Sequence, residues 1–244
     1  MALARDGVVV ATFEGDAAVT HGERLPGDLW RLLDAHSCSL GDVDLFAVAS
    51  GPGSFTGLRI GIATMQGLAL ANDKPLAGIS ALDAIHEAVS SQLSALSGSL
   101  SPEPSALSRR DEVAIWMDAQ RGQVFSAVYK KNRDVVETAL VDTPRDVLGR
   151  WLRNHIQPSM FAGDGAIVYR DLILAALTGT HIVDPVPPLA PSIAMLAAGE
   201  LEHKPLSPDA IRPVYIRRSD AELARDRRAD VEVRTTPSRG RADR

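Results

Sequence analysis

The chain has few of the features that mark exported, membrane-spanning or nucleic-acid-gripping proteins. Its 244 residues contain one cysteine, Cys38, which excludes an internal disulfide and agrees with a reducing compartment. No stretch approaches the roughly 18 consecutive apolar residues of a membrane span. The opening MALARDGVVV lacks the apolar core and the small-residue cleavage site of a secretory signal. A cytoplasmic protein without membrane contact is expected. With 26 Lys and Arg against 31 Asp and Glu, the formal net charge is −5. That leaves no cation excess to hold a phosphate backbone, so any dealing with RNA is expected to go through a partner. The six histidines, His21, His36, His86, His155, His181 and His203, show no HExxH or comparable ligand spacing, and no metal site is expected. Arginines gather only in the stretch that begins RRSDAELARDRRAD at Arg217. Few large apolar residues accompany them, so residues 219–244 read as a solvated, disordered tail.

What is present is ample core material, 45% hydrophobic residues, arranged as alternating strands and helices that favour α/β layering. ALARDGVVVATFEG reads as a hairpin turning at Asp6-Gly7. A helix follows with Leu25, Leu29, Leu32 and Leu33 at helical spacing. VDLFAVAS (43–50) has the near-continuous apolar run of a strand covered on both faces. A helix is expected from Phe55 to about Ala71, then the short strand LAGIS and a helix from Ala81. The Ser- and Pro-rich residues 97–111 read as a connection between a first lobe (1–96) and a second (112–218). The second lobe opens with another hairpin, turning at Gln120 to Gly122. A strand (135–141), a helix (144–154), a strand near Met160 and helices near Tyr169 and Pro191 come after it. Hairpin, strand and helices occurring twice suggest a duplicated lobe.

GPGSFTGLRIG (51–61) has the look of a phosphate loop, yet it lacks the chemistry of one. A P-loop places Lys and then Ser or Thr after its last glycine, and here Leu58 and Arg59 follow Gly57. The dinucleotide fingerprint would need glycine at Thr56, and Pro52 removes a backbone donor. A nucleophile elbow on Ser54 would need glycines at Pro52 and Thr56. The helix that follows carries Gly57, Gly61 and Gly67 beside Ala63, Ala69 and Ala71. Each interior glycine costs about 1 kcal/mol relative to alanine. The pairs 57/61 and 63/67 stack one above the other on the helix surface, so they admit close approach of another backbone. That backbone is either the protein's own sheet or a partner, and both readings can hold on different faces.

GPGSFTGLRIGIATMQGLAL resembles the signature of the TsaB (YeaZ) family of bacterial tRNA-modification proteins. HGERL, MDAQRGQVFSAVY, GDGA at 163–166 and PVYIRR support the resemblance over most of residues 1–218. It implies an actin-like, sugar-kinase-type (ASKHA) two-lobe α/β fold with mixed sheets flanked by helices. It also implies a non-catalytic scaffold that pairs with the enzyme TsaD and acts with the ATPase TsaE. Together these install N6-threonylcarbamoyladenosine beside the anticodon of tRNAs reading codons that begin with A. The chain would need no cofactor of its own, because ATP and a metal are used elsewhere in the complex, the metal on TsaD. It would reach tRNA only through the complex, and it could form a homodimer in isolation. By the same resemblance, Leu29, Leu33, Leu58, Arg59, Gly61, Ile62 and Met65 are the candidate partner-binding residues. Gly51, Gly53, Ser54, Thr56 and Gly57 are expected to position the helix. Asp118 lies where an actin-like ATPase keeps an acidic residue, but no Gly-Gly loop follows, and a role in turn geometry is expected. The family's first strand and its turn are not found, since Met1 falls where the second strand should be under way. A start upstream of Met1 is therefore expected. The alternatives are a residual actin-like ATPase or peptidase, and a homodimeric regulator.

Overall fold

The computed structural model describes residues 1–16, 19, 21–97, 112–201 and 207–217. Most of the expected connection (97–111) and the whole tail (219–244) lie outside the described residues. The first hairpin forms as its turn residues dictate. β1 (Ala2–Arg5) and β2 (Val8–Thr12) are antiparallel, with Asp6 and Gly7 at φ 50° and 73°, the positive angles a two-residue hairpin turn requires. Helix α1 (His21–Ala35) starts one turn before the leucine pattern and runs through Pro26. β3 (Phe46–Gly51) leads through the glycine loop into α2 (Phe55–Ala71), and β4 (Leu76–Ser80) returns parallel to β3.

The second lobe opens with β5 (Glu112–Asp118) and β6 (Val124–Lys130), followed by β7 (Val135–Asp142). Next come α4 (Pro144–Arg153), β8 (Met160–Ala162), α5 (Asp164–Val168), α6 (Arg170–Ala176) and β9 (His181–Ile182). Its sheet has the order β7-β6-β5-β8-β9, with an antiparallel pair on one side of β5 and parallel strands on the other. The first lobe contains the same flanks, an antiparallel pair β1-β2 and a parallel pair β3-β4, as two separate sheets. Among the described residues no strand joins them as β5 joins its neighbours. In place of that ladder, α7 (Leu189–Leu201) packs across all four strands and against α3 (Ala81–Ser97). Ala77, Ile79, Ala84 and Ala197 close this layer.

The chain does not keep to the two-lobe division read from the sequence. α7 and residues 207–217 return to the first lobe, and α3 buries Leu82, Ile85 and Val89 against Val113, Ile115 and Ala127 of the second sheet. The composition break at 97–111 marks a gap in the pattern, but side-chain packing carries both flanks of it across the boundary.

On the far side of the second sheet Trp116, Trp151 and Phe161 form a closed aromatic trio with centroids 5.3 to 5.8 Å apart. Trp151 donates to Glu137. At the edge of this trio Gly163 sits at φ 106°, with the Trp116 carbonyl oxygen directly where a side chain would project. Both the angle and the space exclude any other residue. Gly163→Ala should cost roughly 2 kcal/mol or more, visible as a lowered denaturation midpoint with an unchanged denaturant slope.

At the α3 contact, His86 is 1% exposed and packs against Tyr129 in a tilted pair with ring centroids 4.9 Å apart. The Tyr129 hydroxyl donates to Asp83 at 2.6 Å. Burial, followed by the nearby Arg133, holds the His86 pKa below its usual 6.5, while Glu87 and Asp83 oppose this more weakly. Burial and then Asp83 push the Tyr129 phenol well above its usual range. The unfolded chain takes up a proton on His86 near pH 6.5 and the folded one does so only lower. Stability from this site is therefore complete above pH about 6.5 and falls as pH drops toward the lowered folded value. Melting temperatures between pH 7.5 and 5 should show this acid-side fall, and His86→Phe should lessen it.

Candidate docking site on the first lobe

The glycine loop is built around the protein's own C-terminal segment. Gly51 has φ 128°, and a Cβ there would lie 2.5 Å from the Val214 carbonyl oxygen. Val214 N donates to Ser50 O at 2.7 Å. The room left by the missing side chain is thus filled by backbone. Ser54 Oγ caps α2 by accepting from Gly57 N at 3.4 Å, and Leu58 N donates to Ser54 O at 2.9 Å. Gly51 and Ser54 therefore have visible positioning roles. A Cβ on Gly53 or Gly57 would make only ordinary contacts, and Thr56 is exposed, so nothing in the structure requires these three residue types.

α2 is apolar on two faces. Leu58, Ile62 and Ala69 are buried, and Met65 packs with Phe46 and Leu76. The opposite face, at helical spacing, carries exposed Arg59, Ala63, Gly67 and Leu70, the last 60% exposed. α1 lies alongside, where a Cβ on Gly22 would lie 3.6 Å from the Ile60 side chain. Asp28 is held between Arg24 at 3.0 Å and Arg31 at 3.4 Å. Its neighbour Trp30 is 56% exposed.

Four of the candidate docking residues need correction. Leu33 is 2% exposed, Ile62 3% and Leu58 9%, so they hold α1 and α2 in place and offer nothing to a partner. Gly61 also faces inward, with a Cβ placed 3.8 Å from Val48 Cγ2. Leu29 and Met65 are half-buried, and Arg59 is exposed. The two stacked pairs of small residues thus divide: Gly61 turns to β3, whereas Ala63 and Gly67 face out. The exposed residues that sequence reasoning passed over are Trp30, Phe55, Leu70 and Tyr215. A helix apolar all round was the available signal, since it implies cover on both faces.

The C-terminal segment ties the site together. Gln66 Nε2 donates to Pro208 O at 2.7 Å and Ile211 O at 3.1 Å. Tyr215 stacks on Phe55 at 4.9 Å, and Arg217 donates to Gln123 Oε1 at 2.5 Å across in the second lobe. Asp118 is engaged in its turn as expected, accepting from Gln120 N at 2.9 Å and Gln120 Nε2 at 2.7 Å. Among the described residues no cluster of three or more His, Cys, Asp or Glu could hold a metal ion. No described helix is long and apolar enough to cross a membrane.

These features define an ASKHA-type α/β protein whose glycine loop seats a helix against its own C-terminal segment. The family model described as "TsaD: tRNA N6-adenosine threonylcarbamoyltransferase" matches residues 15–224. The chain belongs to that family, among its TsaB (YeaZ) members. It is 25% identical over 225 residues to the tRNA threonylcarbamoyladenosine biosynthesis protein TsaB of Bacillus subtilis, covering 91% of this chain and 90% of that one. It is 35% identical over 136 residues to the protein of that name in Escherichia coli, covering 53% and 57%. YeaZ from Pseudomonas aeruginosa superposes with a TM-score of 0.65 at 24% identity, over 88% of this chain and 92% of that one.

The division of the small residues has a direct consequence for stability. Gly61→Leu should lower the melting temperature by several degrees, because the added side chain meets β3. Ala63→Leu, on the open face, should leave it within about a degree. Thermal melts of the two variants side by side check the assignment.

Proposed function

We propose that the protein serves the synthesis of N6-threonylcarbamoyladenosine on tRNA as a non-catalytic subunit that docks a TsaD-type threonylcarbamoyltransferase. The reading is supported by the names of its relatives, and the observation that carries the docking part is the second apolar face of α2. Exposed apolar residues scattered singly need no explanation. Ala63, Gly67 and Leu70 fall on one stripe, and such a stripe loses its contact with water only when another surface covers it. The small residues at 63 and 67 let a partner helix come close, and Trp30 offers the kind of large flat side chain that dominates interface energetics.

In this proposal the chain contributes shape and leaves the chemistry to its partner. ATP and metal are used elsewhere in the complex, the metal on the TsaD-type subunit, a TsaE-type ATPase acts alongside, and tRNA is reached only through the assembly.

The test is titration of the full chain against the TsaD protein of the same organism. Ala63→Leu should weaken binding at least tenfold, since overpacking costs about 1 to 3 kcal/mol and 1.4 kcal/mol is a factor of ten. Trp30→Ala should weaken it by a similar factor. Both variants should melt like the parent. Parental affinity in both would overturn the docking face.

A further inference from the structure

Where α2 begins, its exposed face carries a preassembled cation. The Arg59 guanidinium carbon lies 4.0 Å from the centroid of Phe55 and 5.9 Å from that of Tyr215. Arg59 Nε donates to the Tyr215 hydroxyl at 2.9 Å. Phe55 and Tyr215 are 42% and 43% exposed although they stack on each other. Tyr215 belongs to the segment anchored on both sides of it, by Val214 N to Ser50 O at 2.7 Å and by Arg217 to Gln123. None of the ion pairs seen among the described residues involves Arg59.

This arrangement removes most of the freedom an exposed arginine normally has. One face of the guanidinium is covered by a ring and Nε is committed to a hydroxyl. That hydrogen bond uses Nε, so the two terminal nitrogens are the donors a partner would engage. A planar fork held in this way has already given up the side-chain entropy that an exposed ion pair ordinarily costs. Its natural complement is a carboxylate accepting two parallel hydrogen bonds. The chain is acidic overall, so a fixed cation beside an apolar stripe is a local exception to its charge.

We propose that Arg59, positioned by Phe55 and Tyr215, is the charge-recognition point of the docking face and receives an Asp or Glu side chain of the partner protein. The proposal rests on the docking reading above and deepens it. The apolar stripe supplies area, and the arginine sets the register in which the partner lies along α2. The C-terminal segment has a part in recognition as well, because without the Tyr215 hydroxyl the fork is free to rotate. A carboxylate is favoured over an RNA phosphate, since the cluster holds a single cation and nucleic-acid backbones are bound by several.

The experiment measures the affinity of the full chain for the TsaD protein of the same organism across a series of salt concentrations, with a tRNA titration alongside. The parent should bind more weakly as salt rises from about 50 to 500 mM, because a surface charge pair is screened over that range. Arg59→Gln keeps the length of the side chain and removes its charge. It should weaken binding roughly tenfold at low salt and flatten the salt dependence. Tyr215→Phe should fall between the two, and all variants should melt like the parent. Arg59→Gln with parental affinity and salt slope would overturn the proposal. If Ala63→Leu still weakens binding in that case, the docking reading survives alone; if neither variant does, both fail. Parental binding by Tyr215→Phe beside a weakened Arg59→Gln would overturn the positioning role. If Arg59→Gln loses tRNA binding and keeps the protein partner, the site reads phosphate and the proposal is wrong.

Discussion

The first lobe depends on α7. Its strands form two separate pairs, and a strand pair on its own is marginal in water because it buries too little. α7 reaches across both pairs and packs against α3, and its small Ala197 is buried in one cluster with Ala77, Ile79 and Ala84. Helix-to-sheet burial thus does what a continuous ladder does in the second lobe, where β5 links an antiparallel pair to parallel strands. The substitution has a cost in range: hydrogen bonds fix register strand by strand, whereas α7 fixes only the layer. Its own position therefore matters, and that position is secured by α3, which is wedged at the same time into the second sheet.

From this follows the unusual reach of the C-terminal segment. After α7 the chain lies along the first lobe, touching β4 at Gly78 through Ile211, β3 through Val214, and α2 through Tyr215. It then crosses to the turn after β5 with Arg217. Gly51 is a glycine because this segment passes where a side chain would be. The loop that resembles a phosphate cradle is better understood as a seat for backbone. A cradle needs open N–H groups and a cation aimed at the ligand. Here Arg59 is exposed on the helix and engaged by Phe55 and Tyr215.

α2 shows how a single helix can carry two kinds of surface. Leu58, Ile62 and Ala69 meet the core, Ala63, Gly67 and Leu70 lie outside, and its N-terminal turn holds Phe55 and Arg59 against Tyr215. Inside, large residues gain from dispersion and area; outside, small ones keep the surface flat, so another helix can lie close without strain. An exposed stripe of this sort would be an aggregation liability if it were larger or built from leucines.

The sequence by itself determined the local elements. Asp6-Gly7 and Gln120 to Gly122 set turns through backbone angles that few other residues adopt, and the helix from Phe55 to Ala71 follows from its cap and composition. It also determined that the glycine loop lacks phosphate chemistry, because that depends on which residue stands at each position and on nothing distant. Which side of α2 faces which neighbour was not legible, since a helix apolar all round has no preferred inner face until its sheet is in place. Leu58 and Ile62 are core although nothing local tells them from the outer residues of α2, and Leu33 is core on α1. Tyr215 and Phe55 are 160 residues apart in the chain, and no local pattern connects them. Only the return of the C-terminal segment across the first lobe brings them together, and that return is decided by where α7 finds the apolar area it needs to bury.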